Sequence, residues 1–209
     1  MRVRRADENH VRGARQREVV GIAARTAQQR VVFQPLNRLS EREFHRDLRL
    51  PGGAKIIPPQ MADLKATELH EAVKRGDVAS IQRLLEADPA LANARSETDT
   101  RGTFPLHVAA EFDRPAAARL LIEHGADLSL LDIENDSIAL CWAAFYGRPE
   151  VARIMIEAGS DLNQRNKHGL TPLGCALGGA QGRWRQFSKA TLEEWARTAE
   201  LIQSRGGLE

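Results

Sequence analysis

Cysteine and aromatic side chains are scarce in this chain of 209 residues, and long apolar runs are missing from it. The two cysteines, Cys141 and Cys175, provide neither a disulfide framework nor the paired spacing of a zinc site, so we expect buried free thiols in a reducing compartment. No stretch approaches the roughly 18 apolar residues of a membrane-spanning helix. The apolar segment at 19–24 is too short for a secretory signal. These absences predict a cytoplasmic protein without a membrane span.

Charge is distributed unevenly along the chain. Residues 1–60 carry 13 Lys and Arg against 6 Asp and Glu, whereas residues 61–209 carry 17 against 22. The first segment has no repeat and is broken by prolines, so we expect it to be mostly disordered. Three alternatives stay open for it: translation begins at Met61, a basic arm contacts nucleic acid or an acidic surface, or the segment is a targeting peptide.

A sequence pattern recurs at a nearly fixed interval in the second segment. The string FPLHVAA at 104–110 returns 34 residues later as IALCWAA, and a third copy, TPLGCA, begins at Thr171. A more divergent copy places Leu69 37 residues before Leu106. Units that recur in this way predict a repeat protein, in which each unit buries its apolar face against the next one.

The residues inside each unit favour two helices. Ala117, Leu120 and Leu121 are spaced to share one face of a helix. Pro115 suits the first turn of that helix, where its missing N–H is no loss. Gly125 suits the left-handed stop that ends it. This local chemistry predicts an all-α architecture.

These motifs resemble the ankyrin repeat, whose units begin with a string like TPLH and end with one like LLxxGAD. The resemblance implies an all-α ankyrin-repeat solenoid of stacked helix–turn–helix units, joined by short hairpin-like loops. Cys141 and Gly174 stand where the motif has histidine. The resemblance divides residues 61–209 into repeats at about 66–98, 99–132, 133–165 and 166–209, the last with an insertion near 180–192.

No constellation of catalytic or metal-binding residues is evident. His70, His107 and Cys141 occupy equivalent positions in successive repeats, but packed helices lie about 8–10 Å apart, too far for ligands that must each reach about 2 Å from one ion. A histidine that hydrogen-bonds the backbone at a helix start is the better interpretation. The same spacing argues against a Cys141–Cys175 disulfide. We therefore expect no catalysis, no metal and no cofactor.

The resemblance implies that a partner protein binds the concave side of the stack. The contacts would come from the hairpin tips and from the two variable residues after each pair of alanines. Aromatic residues at these positions suit a binding hot spot, and the alternative is that their rings cover the adjacent repeat. The predicted partner-binding residues are Arg75, Arg101, Glu111, Phe112, Glu134, Phe145, Tyr146, Lys167, His168 and Trp184.

The insertion in the last repeat is both basic and aromatic, with the sequence AQGRWRQFSK at 180–189. Trp184 and Phe187 either anchor a lid over the concave groove or fold back over the end of the core. The predicted function is a monomeric protein–protein interaction module with an unidentified protein partner. The alternative is a binder of nucleic acid or of an acidic partner, through the Arg-rich N-terminal arm and the Arg183–Lys189 loop.

Overall fold

The computed structural model describes residues 59–96 and 98–209, with side chains from residue 64 onward, and the predictions for residues 1–58 lie outside it. This part of the chain contains eight α-helices and no strand. A short 3-10 helix at Pro89–Asn93 follows the second α-helix. The α-helices are α1 (Pro59–Arg75), α2 (Val78–Ala87), α3 (Pro105–Glu111), α4 (Pro115–Glu123), α5 (Ala139–Tyr146), α6 (Pro149–Glu157), α7 (Pro172–Ala180) and α8 (Leu192–Ser204).

The helices form two layers. The inner layer consists of α1, α3, α5 and α7, each packed against the next, and the outer layer consists of α2, α4, α6 and α8 in the same order. Each inner helix also packs against the outer helix that follows it in sequence. This stacking of helix pairs confirms the predicted all-α solenoid.

Side chains of the first turn set where several helices begin. Pro115 occupies the first turn of α4, and the Asp77 carboxylate accepts the Ser80 N–H at 3.1 Å at the start of α2. At the start of α8, the Thr191 hydroxyl accepts the Glu194 N–H at 3.2 Å, and a Glu194 carboxylate oxygen accepts the Thr191 N–H at 2.7 Å. These bonds satisfy backbone donors that a helix N-terminus otherwise leaves unpaired.

The core lies between the two layers. The outer helices contribute fully buried side chains to it, namely Leu121, Met155 and Ile202 at corresponding positions and Leu85 of α2, all with 0% exposure. Burial of one such side chain stabilises the fold by about 1.5–3 kcal/mol. The alanine pairs of α3 and α5 are also fully buried, which lets neighbouring inner helices approach closely.

Hairpin loops between the repeats stack beside one another on one side of the helices. The Ile133 N–H donates to the Arg101 carbonyl oxygen at 3.0 Å, and the Lys167 N–H donates to the Asn135 carbonyl oxygen at 2.9 Å. These backbone bonds join the tip of each hairpin to the next. The row of tips therefore lies next to the inner helices and forms one wall of the site described below.

The insertion between α7 and α8 consists of turns, and it is anchored to the preceding repeat. The Ser188 hydroxyl donates to the Tyr146 carbonyl oxygen at 2.8 Å. The indole N–H of Trp195, in α8, donates to the Phe145 carbonyl oxygen at 2.9 Å. These two bonds fix the insertion and the last outer helix against the end of α5.

Candidate binding site

A cavity of about 560 Å³ lies where α5 and α7 meet the hairpin loops and the insertion. Its size falls within the roughly 300–1,000 Å³ of small-ligand pockets. Five of the ten aromatic residues of the chain line it. The lining residues are Arg101, Glu134, Asn135, Ser137, Cys141, Trp142, Phe145, Tyr146, Asn166, His168, Leu170, Cys175, Trp184 and Phe187.

Phe145 is the centre of the aromatic wall. Its ring centroid lies 5.1 Å from Tyr146, 5.1 Å from Trp184 and 5.8 Å from Phe187. Rings at such distances stabilise one another beyond the area they bury. Phe145, Tyr146 and Trp184 are half-buried, whereas Phe187 is 57% exposed. The wall therefore has an apolar edge in contact with solvent.

Two glycines in α7 make room for two indole rings, those of Trp184 in the aromatic wall and Trp195 in the core. A Cβ atom at Gly178 would lie 2.8 Å from the Trp184 indole, and one at Gly179 would lie 2.2 Å from the Trp195 indole. Gly178 and Gly179 correspond to Phe145 and Tyr146 of the preceding repeat, so the two indoles occupy space that variable side chains would take. The Trp184 N–H donates to the Cys175 carbonyl oxygen at 2.9 Å. Trp184 thus both folds back onto the core and lines the cavity.

The polar wall centres on Arg101. Its guanidinium donates to both carboxylate oxygens of Glu111, at 3.1 and 3.0 Å, and to those of Asp99, at 3.2 and 3.3 Å. Its central carbon lies 5.0 Å from the centroid of the Trp142 ring. Burial opposes ionisation of Asp99, but hydrogen bonds from Arg101 and Thr103 outweigh it and hold the pKa of Asp99 below its ordinary value. Asp99 is therefore a charged partner of Arg101 at neutral pH.

Asp132 lies behind the cavity and is 1% exposed. Its carboxylate accepts the backbone N–H groups of Asn135 at 2.6 Å and Ser137 at 3.1 Å, and the indole N–H of Trp142 at 3.0 Å. These three donors replace the water lost on burial. Asp132 therefore fixes the hairpin and the Trp142 ring in one geometry.

The Tyr146 hydroxyl lies near the carboxylate of Glu111. Burial, and secondarily the negative charge of the nearby Glu111 carboxylate, raises the pKa of Tyr146 to about 12. The Tyr146 hydroxyl therefore remains a neutral hydrogen-bond donor at neutral pH.

The thiols of Cys141 and Cys175 are free and buried. No disulfide joins them, although Cys175 sits one position further along its helix than Cys141 does and the two thiols lie close enough to interact. The neighbouring Cys175 thiol, together with burial, raises the pKa of Cys141. A thiol with a raised pKa is a weak nucleophile at neutral pH, so this pair belongs to the floor of the cavity rather than to a reactive site.

The row formed by His70, His107 and Cys141 does not converge on one point. Each side chain instead reaches a backbone carbonyl in the following loop: Ala94 at 3.0 Å from His70, Ser137 at 2.9 Å from His107, and Gln164 at 3.8 Å from Cys141. Nothing in this arrangement brings metal ligands together. Across the described residues, no group of three or more His, Cys, Asp and Glu could hold a metal ion.

Six of the ten predicted partner-binding residues line the cavity: Arg101, Glu134, Phe145, Tyr146, His168 and Trp184. Two more support it, since Glu111 binds Arg101 and the Lys167 ammonium donates to the Glu134 carbonyl oxygen. Phe112 and Arg75 lie outside it. Phe112 is half-buried, with the Lys74 ammonium 5.4 Å from its ring centroid, and its role in binding a partner stays a prediction.

Sequence reasoning missed several contributors to the cavity. Trp142 belongs to the core, with 6% exposure, but its ring also lines the cavity, 5.0 Å from Arg101. Asn135, Asn166 and Leu170 were not singled out at all. Their position in the hairpins could have predicted that they line the cavity, because each hairpin tip lies beside the inner helix of a neighbouring repeat.

Comparison with known proteins gives partial matches. Over 99 residues the chain is 35% identical to the transient receptor potential cation channel subfamily A member 1 of Drosophila melanogaster, which covers 47% of this chain and 8% of the channel. Over 61 residues it is 43% identical to the 2-5A-dependent ribonuclease of Mus musculus, which covers 29% of this chain and 8% of that protein. The chain spans only a small part of each relative. No helix in residues 59–96 and 98–209 is long and apolar enough to cross a membrane.

Family models match most of the repeat region. The model described as ankyrin repeats (3 copies) matches residues 54–132, and the model described as ankyrin repeat matches residues 135–167. Together the two matches cover more than half of the chain, and the helix pair formed by α7 and α8 adds a unit beyond them. The chain belongs to the ankyrin-repeat family.

Proposed function

We propose that this protein is an interaction module that holds a protein partner against the inner helices and the hairpin tips, over the aromatic cavity. Ankyrin repeats are generally protein–protein interaction modules. The single observation that carries the proposed location is the concentration of five of ten aromatic residues around one cavity. Aromatic side chains with a polar surround are what binding hot spots favour.

The exposed edge of the cavity supports the same location. Phe187 is one of the few large apolar side chains that stay exposed among the described residues, and it lies beside a half-buried ring, Phe145. A partner that covers Phe187 removes apolar surface from water, which favours association. His168 and Glu134, both exposed, add polar side chains to the lining of the cavity.

Selection from a displayed peptide library tests this proposal although the partner is unidentified. Peptides enriched on the wild-type protein should lose at least about fivefold in affinity against Phe187→Ala. The matched control is Leu64→Ala, which removes a side chain of similar exposure, 69%, from the first helix. Peptides that bind the Phe187→Ala protein as tightly as the wild type, or that are equally sensitive to Leu64→Ala, would contradict the location.

A second candidate function is the binding of nucleic acid or of an acidic partner through the Arg183–Lys189 loop. Arg183, Arg185 and Lys189 are exposed, and none of them takes part in an ion pair among the described residues. Phosphate-driven binding weakens steeply and linearly in a plot of log affinity against log salt concentration. A salt titration therefore separates this candidate from binding at the aromatic cavity.

A further inference from the structure

The charge balance around the cavity is negative. Among the residues that the structure describes, Arg101 is the only Lys or Arg in its lining, and its guanidinium is shared by two carboxylates, Asp99 and Glu111. Asp132, which binds the Trp142 ring, and Glu134, which lines the rim, bring the local carboxylates to four. Lys167 adds one ammonium group, directed at a backbone carbonyl. The cavity therefore favours a cation over an anion.

The cations of the insertion do not reverse this balance. Arg183 lines a separate and smaller depression, together with Arg165 and Glu209. The Arg185 side chain lies over Gly182. Although the insertion contributes Trp184 and Phe187 to the cavity, neither of these arginines is among the residues that line it.

The carboxylates around the cavity differ in how many hydrogen bonds and ion pairs they already make with the protein. Glu111 binds Arg101 through both oxygens, and Asp132 accepts three bonds. The Glu134 carboxylate makes no hydrogen bond or ion pair with another described residue, and Glu134 lines the same cavity as Tyr146. Glu134 is thus the carboxylate available to a ligand.

The rings of this stack already bind cations of the same chain. The Lys74 ammonium lies 5.4 Å from the centroid of the Phe112 ring, and Arg101 lies 5.0 Å from that of Trp142. Tyr146 occupies the position of Phe112 one repeat later, and Glu111 occupies the position of Lys74. Lys74 of one repeat brings a cation to the Phe112 ring of the next repeat. The equivalent residue one repeat later, Glu111, brings a carboxylate to Tyr146 instead. Aromatic rings and carboxylates together bind an ammonium or guanidinium group well.

We propose that the cavity binds a basic side chain, lysine or arginine, presented by an extended segment of the partner protein. This inference rests on the proposed function and names the chemistry of the partner. The apolar stem of the side chain packs against Phe187 and Trp184, and the cationic group lies between the Tyr146 ring and the Glu134 carboxylate. Long basic side chains combine an apolar stem and a charged head in this way.

Capped alanine–X–alanine tripeptides test the inference directly, with X as lysine, arginine, norleucine or glutamate. Binding is followed by NMR, through the indole N–H signal of Trp184 at millimolar peptide. The lysine and arginine peptides should bind roughly tenfold more tightly than the norleucine peptide, and the glutamate peptide most weakly. Glu134→Gln should remove most of that advantage, whereas Glu123→Gln, an exposed carboxylate of α4, should leave it unchanged.

Each other outcome overturns the inference in a distinguishable way. Equal binding of the norleucine and lysine peptides would make the cavity an apolar site, and the proposed function would stand if Phe187→Ala still weakened binding. If free choline moved the NMR signal of the Trp184 indole N–H more than either basic peptide did, the cavity would be a small-molecule site. An unmoved Trp184 signal with every peptide, combined with library peptides insensitive to Phe187→Ala, would overturn both the inference and the proposed function.

Discussion

The Nε2 atom of His107 lies 2.9 Å from the carbonyl oxygen of Ser137, in the hairpin that leads into the next repeat. The other ring nitrogen accepts the Phe104 N–H at 3.4 Å. A neutral imidazole with its proton on Nε2 satisfies both bonds. Burial lowers the pKa of His107 to about 4, so this neutral form is the one present at neutral pH. One ring therefore joins the start of its own helix to the following loop.

This geometry makes the stability of the fold depend on pH. Unfolded histidine titrates near pH 6.5 and folded His107 near 4, so below pH 6.5 the unfolded chain binds a proton that the folded protein does not. The free energy of unfolding should fall by about 3 kcal/mol as the pH drops through that window. His70, whose pKa is also lowered by burial, adds in the same direction. Urea unfolding at several pH values measures how steeply the free energy of unfolding changes with pH. His107→Gln should reduce this dependence, and His168→Gln should not.

Tyr146 is the only tyrosine of the chain, so phenolate absorbance reports it alone. In the folded protein its titration should have a midpoint near pH 12, and in urea the midpoint should return to about 10. Glu111→Gln should lower the folded midpoint, because a negative charge beside the hydroxyl disappears. Glu123→Gln is the matched control. A folded midpoint near 10 would show that Tyr146 is not buried beside Glu111.

Gly179 and Gly174 offer a matched pair of substitutions within α7. A Cβ atom at Gly179 would lie 2.2 Å from the Trp195 indole, so Gly179→Ala should destabilise the fold by about 1–3 kcal/mol. At Gly174 the nearest atom would lie at 3.5 Å, an ordinary contact. Gly174→Ala should be neutral or stabilising by up to about 1 kcal/mol, because alanine favours a helix. Thermal unfolding of both variants measures the difference, and equal effects would contradict the close packing of Trp195.

Asp132 should be far more sensitive to substitution than an exposed aspartate. Asp132→Ala leaves three donors in a buried site without their acceptor, which should cost about 2–4 kcal/mol. Asp127→Ala removes an exposed carboxylate that accepts from Ser129, and it should cost less than about 1 kcal/mol. Chemical denaturation compares the two. A small effect at Asp132 would show that water satisfies these groups.

Local sequence predicts much of the fold, but it predicts less of the cavity. The interval between Leu106 and Leu140 fixed the register of the helix pairs, and Pro115 fixed the start of one of them. The interaction of Cys141 with Cys175 could not be predicted in this way, because it depends on how far one inner helix is offset from the next. The contact of the Lys74 ammonium with the Phe112 ring likewise joins two successive repeats, so it depends on the same offset.

The sequence by itself determined the repeating helix pairs, their order and the buried residues between them, because those features depend on residues a few positions apart and on one recurring interval. Only the tertiary structure decided that Trp142, Phe145 and Tyr146 share a cavity with Trp184 and Phe187 of the insertion. That arrangement depends on the path of an irregular segment with no recurring pattern. Its course is set by contacts across many residues, such as the Ser188 hydroxyl on the Tyr146 carbonyl.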